Sequence, residues 1–237
     1  MAVMANKTWF ITGPSRGFGR EWAAAALRCG DRVAGTARDP STLDELVHEH
    51  GDSLLPIPLD VTDRDAVFES VRRAQEHFGR LDIVVNNAGY GQFGMVEELS
   101  EKEARDQIET NLFGALWVTQ AALPFLRAKG SGHFLQISSI GGISAFPGIG
   151  MYHASKWALE GISQALAQEV KEFGIKVTLI EPGGFATDWG GSSARHAQAL
   201  EADQPAHEAS ERRRAGNQPG DPAASAEAVM RIVDAEV

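Results

Sequence analysis

With 237 residues, the chain can form one sizeable α/β domain but not two of comparable size. Its apolar and charged fractions, 43% and 23%, are those of an ordinary globular protein, while the net charge of −10 argues against nucleic acid or an anionic membrane surface as a partner. A single cysteine excludes an intrachain disulfide. No stretch resembles a signal peptide or a membrane span, so we expect a cytoplasmic protein.

Short apolar runs alternate with longer amphipathic runs, the pattern that predicts parallel strands joined by crossover helices. Strands are expected at residues 8–12, 32–36, 54–59, 83–85, 133–137 and 176–180. Helices are expected at 19–29, 42–50, 63–78, 102–129 and 152–173, with a last helix from Pro222 to Val237. Cys29 follows a run of alanines and is expected to be a buried small side chain.

The stretch 190–225 is rich in Ala, Ser, Gln, Glu, Arg and Pro and has few large apolar residues. This composition predicts a mobile excursion, partly helical, over the mouth of a site. A disordered tail without a role is the alternative. Residues 1–237 are therefore treated as one domain with a mobile segment at 190–225.

A glycine-rich turn, Thr12-Gly-Pro-Ser-Arg-Gly-Phe-Gly19, connects the first strand to the first helix. Glycines let the backbone bend sharply and approach a diphosphate, and the start of the helix offers unpaired N–H groups with a partial positive charge. The position after a strand and before a helix favours a nucleotide site over an ordinary turn.

Tyr152 and Lys156 are four residues apart in a predicted helix and therefore lie on one face. A free tyrosine has a pKa of about 10, and a nearby cation lowers that pKa by favouring the phenolate. The pair indicates an acid/base centre, although the same spacing also occurs where a tyrosine packs under a lysine stem.

Further motifs accompany these two. In chain order the set is the glycine-rich turn, Asp60-Val61, Asn86-Asn-Ala-Gly89, Asn111, Ser138-Ser139, Tyr152-x-x-x-Lys156, and Pro182-Gly183 with Thr187. In this order and at these spacings, the sequence resembles the short-chain dehydrogenase/reductase family. The resemblance implies a single three-layer Rossmann-like α/β domain with a doubly wound parallel sheet, a nicotinamide cofactor, and hydride exchange between a carbonyl and an alcohol.

The same resemblance assigns catalytic roles. Tyr152 is expected to donate or accept the proton, and Ser139 to hold the substrate oxygen. Lys156 is expected to lower the pKa of the tyrosine and to bind the nicotinamide ribose, and Asn111 to hold a water that links the lysine to solvent. Ser138 is the less favoured serine because an adjacent strand residue points to the other face.

Residues from most of these motifs are expected to hold the cofactor. Asp60 faces the adenine in this assignment, or alternatively caps the next helix, and both roles are compatible. The expected set is Gly13, Ser15, Arg16, Gly17, Phe18, Gly19, Arg38, Asp60, Val61, Asn87, Ala88, Gly89, Tyr152, Lys156, Pro182, Gly183 and Thr187.

The end of the second strand, Gly35-Thr-Ala-Arg-Asp39, bears on which dinucleotide is preferred. In such folds a carboxylate there accepts hydrogen bonds from the ribose, whereas an arginine accommodates a 2′-phosphate. Arg38 and Arg16 together favour NADP(H). NAD(H) is the alternative if the carboxylate of Asp39 faces the ribose instead.

The positions that the family places around the substrate are apolar in this sequence, which favours a lipophilic ketone, aldehyde or alcohol. The expected contacts are Phe93, Phe146, Phe185 and Trp189, with Ile143 nearby. The stretches 86–95 and 181–189 also resemble steroid- and retinol-dehydrogenase-like branches of the family.

Two other functions use the same scaffold. A redox-sensing regulator binds the dinucleotide but commonly lacks the Tyr/Lys pair, and an isomerase or dehydratase produces no net change in NADPH. The seven histidines show no metal-site spacing, so we expect no metal.

The resemblance also bears on assembly. Family members of this kind continue past the last helix into a seventh strand and a closing segment, which this sequence lacks, so we expect a sheet without the family's last strand. A homodimer through the helices that carry Asn111 and Tyr152 is expected, with a homotetramer as the alternative.

Overall fold

The computed structural model describes residues 6–191, 193–215 and 218–235. Of the expected domain 1–237, the ends at 1–5 and 236–237 lie outside the described residues, as do positions 192 and 216–217 of the segment 190–225. The helix expected to reach Val237 ends at Asp234.

The described residues form eight strands and eight α-helices. The strands are β1 (Thr8–Thr12), β2 (Arg32–Ala37), β3 (Leu54–Pro58), β4 (Ile83–Asn86), β5 (Gln92–Phe93), β6 (Gly132–Ile137), β7 (Ile175–Ile180) and β8 (Arg195–His196). The helices are α1 (Gly17–Arg28), α2 (Asp44–His50), α3 (Arg64–Phe78), α4 (Glu101–Ile108), α5 (Gly114–Lys129), α6 (Gly150–Glu169), α7 (Gln204–Ala215) and α8 (Pro222–Asp234).

Six strands form one parallel sheet in the order β3-β2-β1-β4-β6-β7. All five residues of β1 are buried, as expected for a central strand that helices cover on both faces. The chain order of the strands reverses between β1 and β4, and in open sheets ligands bind at such a reversal, beyond the carboxyl ends of the strands. The predicted doubly wound, Rossmann-like α/β fold is confirmed.

Two apolar layers hold the helices against the sheet. The layer under α3 and α5 contains Phe10, Val67, Val71, Val84 and Val118, and the layer under α1 and α8 contains Trp9, Ile11, Trp22, Val229 and Val233. Neighbouring positions of β1, Trp9 and Phe10, belong to opposite layers because successive strand residues point to opposite faces.

The structure differs from the sequence-based expectation in the helix predicted at 102–129. A π-helical segment, Glu109–Phe113, joins α4 to α5, so the helix contains one wide turn that carries Asn111. Such single wide turns occur often at functional sites.

Cys29 was expected to be buried, and this expectation is wrong. The residue stands at the C-cap of α1, outside the packed part of the helix, and is exposed.

A second sheet was not expected from the sequence. β5 and β8 pair in parallel, Gln92 with Arg195 and Phe93 with His196. Each strand is two residues long, too short for any periodicity to be detected. The pair fastens the first part of the segment 190–225 to the body of the domain, and the mobility of that segment stays a prediction.

Candidate active site

A cleft of about 1330 Å³ opens at the carboxyl ends of β1, β2, β4 and β6. Most of the residues that the sequence proposed for the site line it. They are Gly13, Ser15, Arg16, Gly17, Phe18, Arg38, Asp60, Val61, Asn87, Ala88, Gly89, Ser139, Phe146, Tyr152, Lys156, Pro182, Gly183, Phe185, Thr187 and Trp189.

Three proposed site residues, Gly19, Phe93 and Asn111, do not line the cleft. Gly19 was expected to touch the cofactor, but a Cβ there would lie 2.5 Å from the Gly13 carbonyl oxygen, so the residue serves close packing of α1 against the turn. Phe93 was expected to touch the substrate, but it is 5% exposed and packs behind Trp189, with ring centroids 5.2 Å apart. Asn111 is buried beside the cleft.

The glycine-rich turn adopts the backbone that its sequence suggests. Gly13 and Gly17 have φ values of 68° and 55°, in the left-handed region that favours glycine. Arg16 occupies the N-cap of α1, and a guanidinium has only donors, so it cannot accept hydrogen bonds from the first helical N–H groups. The start of α1 is therefore suited to an anion.

Thr12 and Asn87 fix this turn to the end of β4. Asn87 Nδ2 donates to the carbonyl oxygens of Thr12 and Gly13 at 2.9 and 3.0 Å. Thr12 Oγ1 accepts from the backbone N–H groups of Asn87 and Ala88 at 3.0 and 2.9 Å. The two proposed nucleotide-binding loops are thus held together by four hydrogen bonds.

Tyr152 and Ser139 both line the cleft. Burial raises the pKa of Tyr152 to about 12, and the nearby Ser139 side chain acts in the opposite direction. The net direction is opposite to the expected lowering, because burial of a phenolate costs more than one neighbouring donor returns. Ser139 Oγ accepts from the Gly141 N–H at 3.0 Å.

Lys156 lies one helical turn after Tyr152 on α6, with its Nζ 5.8 Å from the centroid of the tyrosine ring. Its Nζ donates to the Ile137 carbonyl oxygen at 2.6 Å. Burial lowers the pKa of Lys156 to about 8, while the charge of Glu160 raises it.

Asn111 holds the loop after β4 from the π-helical segment. Its Oδ1 accepts from the Tyr90 N–H at 3.1 Å, and its Nδ2 donates to the Tyr90 carbonyl oxygen and to Ser155 Oγ at 3.0 and 3.1 Å. A Cβ on Gly89 would lie 3.1 Å from Asn111 Oδ1 and 3.8 Å from Lys156 Nζ, so the asparagine and the lysine flank the same glycine.

His153 is a residue of the site that the sequence analysis did not single out. It accepts at Nε2 from the Phe146 N–H and meets the Gly141 carbonyl oxygen with Nδ1, both at 2.8 Å. These bonds fix the neutral ring with its proton on Nδ1 and clamp both ends of the loop between Ser139 and Tyr152. Its position next to Tyr152 was the only available signal.

At the far end of the cleft, two carboxylates each accept a backbone N–H and a side-chain hydroxyl on their Oδ1 atom. Asp39 accepts from the Ser41 N–H and Oγ at 3.0 and 2.7 Å, and Asp60 accepts from the Thr62 N–H and Oγ1 at 3.0 and 2.8 Å. The alternative in which Asp60 caps α3 is wrong, because Asp63 provides that cap.

Aromatic side chains form the other end. The Trp189 ring packs on Tyr152 with centroids 4.8 Å apart, and Phe185 packs edge-on against Phe18 at 4.9 Å. Ile143, expected near this wall, is 51% exposed and does not line the cleft.

Within the described ranges, no three His, Cys, Asp or Glu side chains are grouped as a metal site would require. None of the described helices is long and apolar enough to cross a bilayer.

The sequence model of the short chain dehydrogenase family matches residues 7–198. The chain belongs to this family. The matched range includes the glycine-rich turn, Ser139, Tyr152 and Lys156, so most of the residues that line the cleft lie in the part of the chain that defines the membership.

Individual short chain dehydrogenases agree with this membership. Oxidoreductase BOA17 of Botryotinia fuckeliana (strain B05.10) is 49% identical over 189 residues, which are 79% of this chain and 69% of that protein. A short-chain dehydrogenase from Streptomyces avermitilis superposes with a TM-score of 0.93 at 42% identity, covering 100% of this chain and 86% of the other.

A further solved structure, an alcohol dehydrogenase from Thermococcus sibiricus complexed with 5-hydroxy-NADP, superposes with a TM-score of 0.80 at 31% identity. The superposition covers 98% of this chain and 93% of the other. This chain is therefore an oxidoreductase of the short chain dehydrogenase family.

Proposed function

We propose that this chain is an NADP(H)-dependent oxidoreductase that interconverts a lipophilic ketone or aldehyde and its alcohol. Ser139, Tyr152, Lys156 and Asn111 are its proposed catalytic residues. The observation that carries the proposal is that Ser139, Tyr152 and Lys156 line one cleft, which continues to the glycine-rich turn.

The donor set of the cleft suits a nicotinamide dinucleotide. Gly13 and Gly17 bring backbone, without side chains, to the start of α1, where N–H groups and the helix dipole favour a diphosphate. The residues proposed to hold the cofactor are those of the predicted set that line the cleft, from Gly13 to Thr187. When bound, the dinucleotide supplies or accepts the hydride.

NADP(H) is the preferred form in this proposal because of Arg38. Arg38 and Asp39 both line the cleft and are exposed. Asp39 accepts from the Ser41 N–H and Oγ on its Oδ1, whereas Arg38 makes no ion pair with any residue in the described ranges. A guanidinium in this position suits a 2′-phosphate. The Thermococcus sibiricus structure, with its NADP derivative, supports the same choice.

Tyr152 is the proposed proton donor for carbonyl reduction. Because its pKa is raised to about 12, its phenol keeps the proton at neutral pH and can give it to the oxygen that gains negative charge. In the oxidative direction the phenol must first lose this proton. The charge of Lys156 and the Ser139 hydroxyl favour the resulting phenolate.

A lipophilic substrate is proposed because the wall next to Tyr152 is apolar. Phe146, Pro147, Ile149, Phe185 and Trp189 line this end of the cleft. Burying apolar substrate surface there would contribute about 25 cal/mol per Å² of area removed from water. The 190–225 segment is the proposed cover of this end.

A homodimer through α5 and α6 is also part of the proposal. Trp157 and Ile162 on α6 are 53% and 37% exposed, and exposed apolar residues of this size are common in subunit interfaces.

The decisive experiment follows NADPH absorbance with a panel of aryl and long-chain ketones, for the wild type and for Tyr152→Phe. The wild type is expected to oxidise NADPH with at least one ketone, and Tyr152→Phe to lose about a thousandfold in kcat/KM because the proton donor is gone. NADPH binding, followed by its fluorescence, is expected to persist in the variant.

Tyr90→Phe is the matched control, since Tyr90 is the only other tyrosine of the chain and its hydroxyl faces Arg195. It is expected to keep most of the turnover. NADPH binding without turnover in the wild type would favour the redox-sensing alternative, and conversion without a change in NADPH would favour an isomerase or dehydratase.

A further inference from the structure

A buried glutamate lies on the same face of α6 as the proposed catalytic pair. Glu160 follows Lys156 by four residues, as Lys156 follows Tyr152, so the three side chains form one row along the helix. Glu160 and Lys156 are each only 6% exposed. Glutamate is almost never so deeply buried unless its charge is compensated.

One oxygen of the Glu160 carboxylate is buried without a partner among the described residues. This atom, Oε1, is fully buried and accepts no hydrogen bond from any of them. A Cβ on Gly142 would lie 3.1 Å from Oε1 and 2.6 Å from Ser138 Oγ, so the carboxylate packs under the turn that follows Ser139. The turn after Ser139 therefore fixes the position of the Glu160 carboxylate but supplies no positive charge or hydrogen-bond donor to Oε1.

Lys156 is buried in the same way as Glu160. A buried ammonium, like a buried carboxylate, needs an opposite charge or hydrogen bonds to offset its loss of hydration. Its one hydrogen bond in the described part of the chain is to the Ile137 carbonyl oxygen, next to Ser138. Lys156 and Glu160 thus approach the same end of β6 from α6. They form no direct ion pair in the described ranges. Their interaction is therefore a Coulomb attraction between two buried charges that are not in contact.

We infer that Glu160 is a positioning residue whose buried carboxylate keeps Lys156 in its charged form beside Tyr152. This inference rests on the proposed function only for its catalytic consequence; the charge state itself can be measured without a substrate. Burial lowers the pKa of Lys156 to about 8, and Glu160 is the one described charge that raises it. Without Glu160, a larger fraction of Lys156 would be neutral at physiological pH.

Other titratable groups around α6 do not replace Glu160. Asp106 pairs with Lys102 and Arg195, and Glu103 is bonded to Ser100. The titratable groups on α6 and on the elements packed against it, besides Lys156 and Glu160, are Tyr152, His153, Glu169, Glu101, Lys102, Glu103, Arg105, Asp106, Glu109, Lys171, Glu172 and Lys176, and none of them alters the pKa of Lys156.

The test is a direct titration of Lys156 in the folded protein without substrate. The chain has six lysines, so ¹³C-lysine labelling gives few NMR signals, and Lys156→Met identifies the relevant one. In Glu160→Gln, the midpoint of the Lys156 titration is expected to fall by about one pH unit, because an opposite charge nearby favours the charged form. Glu160→Asp, which keeps the carboxylate, is expected to stay closer to the wild type.

Glu169→Gln is the matched control, since Glu169 is an exposed glutamate at the end of the same helix. It is expected to leave the Lys156 titration unchanged. With NADPH and an aryl ketone, the pH at which turnover declines on the alkaline side is expected to fall in Glu160→Gln by the same amount as the lysine midpoint.

A wild-type Lys156 midpoint in folded Glu160→Gln would overturn the inference, with folding checked by circular dichroism. Glu160→Met, which also removes the charge, replaces Glu160→Gln if that variant does not fold. A shifted lysine midpoint together with absent ketone turnover would support the inference while contradicting the proposed function.

Discussion

Arg38 and Asp39 are adjacent at the end of β2, yet their side chains have different surroundings. Asp39 begins the 3₁₀ turn Pro40–Leu43 and uses its carboxylate to cap it, with the Ser41 N–H at 3.0 Å. Arg38 is exposed and, like Asp39, lines the cleft. One oxygen of the Asp39 carboxylate is therefore engaged locally, while the Arg38 guanidinium is left for the proposed 2′-phosphate.

Arg38→Ala is expected to raise the KM for NADPH about thirtyfold and to leave the KM for NADH nearly unchanged. The reason is that a charge-assisted hydrogen bond to a phosphate contributes about 2 kcal/mol, and NADH has no 2′-phosphate. Steady-state kinetics with both cofactors measure this. Arg73→Ala, at an exposed position on α3, is the control, and an equal loss with NADH and NADPH would contradict the assignment.

Most of the proposed site residues line the cleft, because motifs at the ends of neighbouring parallel strands meet at one edge of the sheet. Gly19, Phe93 and Asn111 do not line it. A glycine-rich turn does not reveal which glycine faces a ligand and which permits close packing, and an aromatic residue in a loop does not reveal which side it faces. The pKa of Tyr152 was also expected in the wrong direction, because burial cannot be judged from spacing.

Among the elements, the segment from β8 to α7 is held over the cleft by specific polar contacts. Glu98 accepts from the Leu200 N–H at 2.9 Å and from the Met95 N–H at 2.7 Å, and its Oε1 lies 2.7 Å from His207 Nε2. The His207 side chain, followed by the backbone N–H groups, lowers the pKa of Glu98 to about 2, so Glu98 is ionised at physiological pH. The Glu98 carboxylate thus links the loop at Met95 to Leu200 and to His207 of α7.

Glu98→Gln is expected to loosen this segment. Trypsin is expected to cut at Arg212 and Arg213 several times faster, because a weakened attachment exposes α7. The KM for the ketone is expected to rise, while the dissociation constant for NADPH, measured by fluorescence, stays within about twofold. Glu97→Gln, at the exposed neighbouring position, is the control. Unchanged proteolysis would show that Glu98 does not hold the segment.

The sequence predicted the helices of the domain well but could not show the π-helical segment at Glu109–Phe113. A π-helical turn differs from an α-helical turn in which backbone carbonyl each N–H is bonded to, and the residue types alone do not reveal that choice. The π-helical segment matters for the site, because it carries Asn111, whose side chain forms hydrogen bonds with the N–H and the carbonyl oxygen of Tyr90.

At the scale of the whole molecule, Asp82 joins parts of the chain that are far apart in sequence. This 7%-exposed residue accepts from the Thr8 N–H of β1 at 2.8 Å, from Arg80 at 2.8 and 2.7 Å, and from Lys129 at the end of α5. Burial alone would raise the pKa of Asp82, but the bonds from Arg80, Lys129 and Thr8 together lower it.

Asp82→Asn is expected to lower the free energy of unfolding at pH 7 by about 3 kcal/mol, because it leaves buried donors with a weaker acceptor. A carboxyl whose pKa is depressed in the folded state stabilises above its unfolded pKa of about 3.9. That contribution is lost as the pH falls through the folded value, so the difference from the wild type should shrink below about pH 4.

Guanidinium unfolding at several pH values measures this difference. Asp65→Asn, at an exposed aspartate on α3, is the control and should change the unfolding free energy little. A difference for Asp82→Asn that stays constant down to acid pH would show that the ionised form is not what stabilises the fold.

The doubly wound architecture could be predicted from the alternation of apolar runs and amphipathic helices, because a central strand such as β1 must be apolar on both faces. The β5–β8 pair could not, since its partners are about a hundred residues apart and two residues long. The attachment of this part of the chain beside the cleft is therefore visible only in the three-dimensional structure.

The exposed thiol at the end of α1 makes this chain convenient for single-site labelling. Cys29 is the sole cysteine, and it stands twelve helical residues, about 18 Å, from the glycine-rich turn. A maleimide dye would attach at one position, outside the cleft, without any other residue being replaced. Energy transfer from such a dye to a fluorescent nucleotide analogue would then report occupancy of the cleft in the otherwise native chain.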